Sequence, residues 1–242
     1  MGSGKYGAIS GLIGRMQMMD NISEHLAAVR TTAYKKGKMT FEAKLGEAAS
    51  GMATKGINYS RTTKEEIDFT PGETGYTGKP LHLAIINDGF FQVLRENGEM
   101  GYTRNGGFQM NTLGEMVTSE GLQVLSVEEE PIILPHPDVN INLDGSIYHG
   151  DQFVAQIGLY QFEDKSILMR APNGLFIPKD NTEPELHLEP EMLQKNLESS
   201  NVDMMRTMVR MTSNLRTFEA TQKVLRIYSD MGAKAAEIGQ VQ

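Results

Sequence analysis

The sequence predicts an α+β protein, with N- and C-terminal helices forming a coiled-coil-like helical domain around a central, mainly antiparallel β domain. Three observations predict it. Apolar residues recur at alternating spacings of four and three near both ends of the chain, the middle switches to a period of two, and Asx-Gly pairs punctuate that middle. The boundaries that follow are a helical segment over residues 1–34, an extended connector over 35–80, a β domain over 81–198, and a second helical segment over 199–242 that pairs with the first.

The first helix rests on Ala8, Leu12, Met19, Ile22, Leu26 and Val29, a stripe broken only at Arg15. Gly7, Gly11 and Gly14 weaken its first half by about 1 kcal/mol each relative to alanine, so the helix needs a partner. The connector over 35–80 is rich in glycine and threonine and reads as extended and partly β. In the β domain, residues 81–86, 90–94, 108–111, 116–118, 122–125, 140–143, 153–162 and 175–177 read as strands. Asp88-Gly89, Asn97-Gly98, Asn105-Gly106 and Asp144-Gly145 are the pairs that accept positive φ in tight hairpins.

The last segment carries the strongest signal. Ser200-Asn-Val-Asp203 fits a capping box, in which a hydroxyl and a carboxylate satisfy orphan amides. Behind it, Met204, Met208, Met211, Leu215, Phe218, Gln222 and Leu225 follow a 4-3-4-3-4-3 spacing, and Arg206, Arg210, Arg216, Lys223 and Arg226 occupy the opposite face. From Asp203 to Ile238 there is one glycine and no proline. At 1.5 Å per residue the helix approaches about 50 Å, longer than a compact domain of this size requires. Two helical ends around a β insert must hide their apolar stripes against each other or against a neighbour.

A chain of 242 residues can bury a sizeable core, and no run approaches the roughly 18 apolar residues of a membrane span. The start has no uninterrupted apolar stretch of the kind a secretory signal requires. With no cysteine, disulfides and thiolate metal sites are excluded. Residues 1–45 hold seven Lys/Arg against three Asp/Glu, and 191–242 hold seven against six. These ends carry +4 and +1, so the remainder carries −13 of the total −8. An acidic middle is a poor surface for nucleic acid, and the basic ends lack the aromatic residues of a single-strand binder.

No catalytic constellation emerges. None of the five histidines (His25, His82, His136, His149, His187) stands at a recognised metal spacing. His136-Pro-Asp138 reads as a surface turn. The glycines before Lys5 lack the rest of a phosphate loop, and Tyr6 stands where a magnesium-binding hydroxyl belongs. Glu128-Glu-Glu130 before Pro131 reads as a solvated loop. Neither catalytic nor metal-binding residues are expected, and no cofactor.

At this point the sequence resembles a known family. Leu81-His-Leu-Ala-Ile-Ile-Asn-Asp-Gly-Phe-Phe-Gln-Val93, then Tyr102-Thr-Arg-Asn-Gly-Gly-Phe108, Asn111, Gly114, Val117-Thr118 and Gly121 resemble the central signature of flagellar rod and hook proteins. Leu197-Glu-Ser-Ser-Asn-Val202, Arg216-x-Phe-Glu-Ala220 and Lys223-Val224 are similar to that family's C-terminal segment. Residues 21–35 resemble more loosely its Asn-Asn-Leu-Ala-Asn-Val-Asn-Thr-Thr-Gly-Phe-Lys pattern, departing at Glu24, His25, Ala28, Arg30 and Ala33. The short middle, with the 68–72 and 77–81 stretches, looks most like the proximal-rod members; distal-rod and hook-type subunits are the alternatives.

The resemblance implies a structural axial subunit of the flagellar basal-body rod, without enzymatic activity. Its partners would be copies of itself and other rod proteins in a helical, torque-transmitting assembly, together with the flagellar type III export apparatus. It would lie in the periplasmic rod, exported without a cleaved signal peptide. Residues 5–30 and 203–238 would pair as a coiled coil lining the rod interior, with the β domain outward. The expected assembly interface is Leu12, Met19, Ile22, Leu26 and Val29 on the first helix, with Met204, Met208, Met211, Leu215, Phe218 and Leu225 on the second. Burying the latter six at roughly 1.5–3 kcal/mol each supplies on the order of 10 kcal/mol, less ordering costs. The reading from a different class is a soluble glycan- or peptidoglycan-binding module, for which Phe90, Phe91, Tyr102 and Phe108 are the aromatic candidates.

Overall fold

A computed structural model describes residues 2–45, 58–179 and 182–239. Helix α1 spans Gly2–Ala27 and is followed by a single 3-10 turn at Ala28–Arg30. Strands β1 (Gly37–Leu45) and β2 (Asn58–Ile67) pair in a two-stranded sheet. Residues 46–57 of the expected connector lie outside the described residues. Short strands follow: β3 (Thr74–Tyr76), β4 (Leu83–Ile85), β5 (Phe90–Leu94), β6 (Met100–Thr103), β7 (Gln109–Met110), β8 (Met116–Val117) and β9 (Gln123–Val124). Then come β10 (Asn140–Ile141), β11 (Ser146–His149), β12 (Gln152–Gln156), β13 (Leu159–Gln161), β14 (Leu168–Arg170) and β15 (Phe176–Pro178). The strands end with β16 (Glu185–Leu186), β17 (Met192–Gln194) and β18 (Asn196–Glu198), and helix α2 covers Met204–Gly239.

The fold is thus α+β, with antiparallel pairing in every strand pair whose register is given by the described residues. The largest sheet runs β14-β15-β6-β5-β9-β8-β7, with β13 and β16 joined through β5. Strand β5 is its organising element because both of its faces are covered. Phe91 and Val93 enter one apolar cluster with Leu83, Phe108, Met116 and Val124, while Phe90 enters a second with Tyr102, Phe162 and Phe176. A strand buried on both faces loses the polar alternation of a half-exposed one, which is why 90–94 reads as nearly continuous apolar sequence.

Two compact units emerge. One comprises Met1–Ala27, Gly37–Glu66 and Asp203–Gln242; the other comprises Ala28–Lys36 and Ile67–Val202. The second, the β unit, therefore takes in residues 28–36 and 67–80, which precede the expected 81–198 β region in sequence.

Three local expectations are corrected. The expected strand over 153–162 breaks at Ile157 and Gly158 into β12 and β13, which belong to different sheets. Asn105-Gly106 is no positive-φ turn; Gly106 is needed for a close backbone approach to Leu83. The cap of α2 is Asp203, whose carboxylate accepts from the amide of Arg206 at 3.0 Å, whereas the Ser200 hydroxyl accepts from Val202 instead.

Ala33, where the family pattern has glycine, is buried in the left-handed region at φ 54°. A Cβ there is strained by roughly 1–2 kcal/mol. Ala33→Gly is expected to stabilise the β unit by about 0.5–1 kcal/mol after glycine's greater unfolded-chain entropy is subtracted. A urea titration checks this: the midpoint should rise with an unchanged slope.

Candidate assembly surface

Helix α2 packs against α1, and the face it covers differs from the expected stripe. Thr207 and Asn214 are buried, and Met211, Phe218, Thr221 and Leu225 are half-buried. These positions follow their own 4-3-4-3-4 spacing. At 3.6 residues per turn the seam is rotated by about 50° from the apolar stripe. Met211, Phe218 and Leu225 belong to both sets. Met204, Met205, Met208, Val209 and Leu215 are left 39–73% exposed.

Polar residues fit the seam for identifiable reasons. The hydroxyl of Thr207 donates to the carbonyl of Asp203 at 2.6 Å, and that of Thr221 to Thr217 at 2.8 Å. Each hydroxyl is spent on its own helix, leaving the γ-methyl for packing. Asn214 donates through Nδ2 to the carbonyl of Arg15 at 2.9 Å, and its Oδ1 accepts from the Arg15 guanidinium at 3.4 Å. The residue that interrupts the α1 stripe is therefore the partner of a buried asparagine, an arrangement that fixes helix register at some cost in stability.

On α1, Ile22 is buried, Leu12, Met19 and Leu26 are half-buried, and Ile9, Ile13 and Met16 are exposed. Val29 is half-buried in the turn that follows the helix. Both ends thus bring some of the eleven expected interface residues into cover and leave others in solvent.

The β unit holds a charged cluster that the sequence pattern did not disclose. Lys35, Arg104 and Glu198 are 0%, 2% and 1% exposed. Glu198 is paired with Lys35 through Oε1 and with Arg104 Nε through Oε2 at 2.9 Å, and its Oε1 also accepts from the amide of Gly72 at 2.8 Å. Burial pushes the Glu198 carboxyl up, but the Arg104 charge, the Lys35 bond and the Gly72 amide together hold it below the usual carboxylate range. Burial lowers the Lys35 ammonium from the usual lysine value, against the pull of Glu198. The three residues come from three separate motif segments of the sequence: Lys35 closes the first, Arg104 lies in the second and Glu198 is the second residue of the third. Each alone reads as an ordinary surface charge; only their juxtaposition is informative.

The histidines serve local structure. His25 Nε2 accepts from the amide of Gly37 at 3.0 Å, His136 from Asp138 at 3.1 Å and His187 from Glu189 at 3.3 Å. Among the described residues no group of three or more His, Cys, Asp or Glu side chains is placed to hold a metal ion. The described residues also contain no helix long and apolar enough to cross a membrane. The aromatic candidates for a glycan surface, Phe90, Phe91, Tyr102 and Phe108, are all buried.

Comparison with known proteins follows the same segments. Residues 84–149 match the flagellar hook protein FlgE/F/G D1 domain, and residues 193–238 match the C-terminal region of the flagellar basal body rod FlgEFG proteins. The flagellar basal-body rod protein FlgF of Escherichia coli is 32% identical over 185 residues, covering 71% of this chain and 73% of its own. The chain belongs to the flagellar basal-body rod protein family. FlgF of Mesorhizobium japonicum is similarly related to this rod protein, 29% identical over 224 residues and 91% of both chains. The rod protein FlgG of Bacillus subtilis is 26% identical over 245 residues, covering 91% of this chain and 92% of its own. This rod protein is most like FlgF, and it is a structural, non-enzymatic subunit of the flagellar basal body.

Proposed function

We propose that this rod protein joins copies of itself and other rod proteins in a helical assembly through its terminal helices, α1 and α2. The single observation that carries the reading is the exposed apolar front of α2, where Met204, Met208 and Leu215 flank the covered seam. Patches of this kind mark interaction surfaces, and the occupant proposed is the terminal helix of a neighbouring rod subunit. A contact between different faces of identical subunits propagates helically instead of closing.

In the assembly, Leu12, Met19, Ile22, Leu26, Met211, Phe218 and Leu225 tighten into a coiled coil lining the rod interior, and Met204, Met208 and Leu215 join the next subunit. Delivery is through the flagellar type III export apparatus to the periplasmic rod. A proximal position is favoured over a distal one by identities of 26–32% to FlgF proteins against 26–27% to FlgG proteins.

The paired substitution Met208→Asp/Leu215→Asp tests the surface. Placing two carboxylates in a buried contact is expected to abolish swimming and rod completion in cells whose only copy is the variant. In the purified full chain the thermal transition of the β unit should stay within about 0.5 kcal/mol of wild type, since both positions lie on α2, outside that unit, and are exposed. Retained motility would remove this face from the interface.

A further inference from the structure

The charged cluster sits where the chain enters and leaves the β unit. Residues 31–36 continue from the turn after α1, and residues 199–202 lead into α2. Within the β unit these two roots are bonded to each other. The amide of Ala33 donates to the carbonyl of Glu198 at 2.8 Å, that of Asn201 to Tyr34 at 3.1 Å, and that of Lys36 to Asn201 Oδ1 at 2.8 Å. Both roots are also tied to residues 68–73: Asp68 donates to the Lys36 carbonyl at 2.9 Å, Ser199 to Glu73 at 2.8 Å, and Asn201 Nδ2 to Asp68 at 2.7 Å. Arg104 anchors the whole to the main sheet, its guanidinium bonding Glu198 and the carbonyl of Gly89, the latter at 2.8 Å.

We infer that Glu198 is a positioning residue that pins the two roots side by side by fixing the register of β18. Strand β18 pairs with β3 in the register Glu198 opposite Thr74, Leu197 opposite Gly75 and Asn196 opposite Tyr76. A slip of one residue turns every side chain of a strand to its other face. Here it would carry Leu197 or Ser199 to the position of the carboxylate and leave Lys35 and Arg104 buried without a counter-charge. That state is strongly disfavoured, whereas an apolar contact at the same place would tolerate the slip. The carboxylate thus excludes alternative registers, and both roots inherit the one that remains.

Hydrogen exchange by mass spectrometry on the full chain tests this. In Glu198→Gln the amides of Ala33, Lys36, Gly72 and Asn201 should exchange at least tenfold faster, while those of Phe91, Val93, Met116 and Val124 in the main sheet keep wild-type protection. The double variant Lys35→Met/Glu198→Gln removes one of the two unpaired cations but not the need for the carboxylate, so it should fold and still exchange its four root amides at least tenfold faster than wild type. Unchanged root amides in Glu198→Gln, or equal loss at roots and sheet, overturns the inference. So does a double variant whose root amides return to wild-type protection. If Glu198→Gln alone fails to fold, the double variant carries the test by the same comparison of roots with sheet. The readout is independent of assembly, so its failure leaves the rod-joining surface untouched.

Discussion

Gly106→Ala is expected to destabilise the β unit by about 3 kcal/mol or more, at or beyond the upper end of the range for overpacked sites. A methyl group at this position would be driven into the carbonyl oxygen of Leu83, with the carbonyl carbon and Cα of the same residue close behind. Side-chain rotation cannot relieve a clash with backbone. The backbones approach because the amide of Leu83 donates to the Gly106 carbonyl at 3.0 Å and His82 bridges to Gly107. Leu83 and Phe108, which flank this crossing, are both in the main core cluster. Urea unfolding followed by far-ultraviolet circular dichroism measures the effect as a fall in midpoint. A wild-type midpoint would show that the two segments can separate without cost.

Phe91→Ala should cost about 3–5 kcal/mol, the range for deleting a large buried aromatic side chain. Phe91 is fully buried, and its ring meets Phe108 edge-on with centroids 5.0 Å apart. It also lies between two neighbouring strands, paired with Thr103 on one side and Leu159 on the other. A cavity there opens at the centre of the sheet, where backbone on both sides resists collapse. Phe153→Ala is the matched control. Phe153 is 58% exposed on β12, so its loss should change stability by about 0.5 kcal/mol or less. The same urea titration ranks the two, and comparable losses would contradict the assigned core.

Much of the architecture is legible because periodicity and turn chemistry are local properties. The long α2 helix follows from an uninterrupted helical spacing without proline, and β5 from an aromatic and β-branched run between two Asx-Gly pairs. The short strands β3, β6, β11, β14, β16, β17 and β18 escaped because two to four residues give too little pattern to register a period. β14 and β18 are set by their partners, β15 and β3, and not by their own residues.

The face of α2 that meets α1 is not legible in the sequence for a related reason. An apolar count gives Met204, Met208 and Leu215 full weight and Thr207, Asn214 and Thr221 none. Yet the threonines return their hydroxyls to their own helix, and Asn214 finds the Arg15 carbonyl. Hydropathy cannot register a polar group whose partner lies 199 residues away.

The sequence by itself determined the α+β class, the two terminal helices and the family, because all three rest on patterns within short windows of chain. Only the tertiary structure decided which helical face is covered, that residue 33 takes a left-handed conformation, and that Lys35, Arg104 and Glu198 form one buried cluster. Those are contacts between distant segments. A charge is buried or solvated according to what the fold brings beside it, and no window around any one of the three contains the other two.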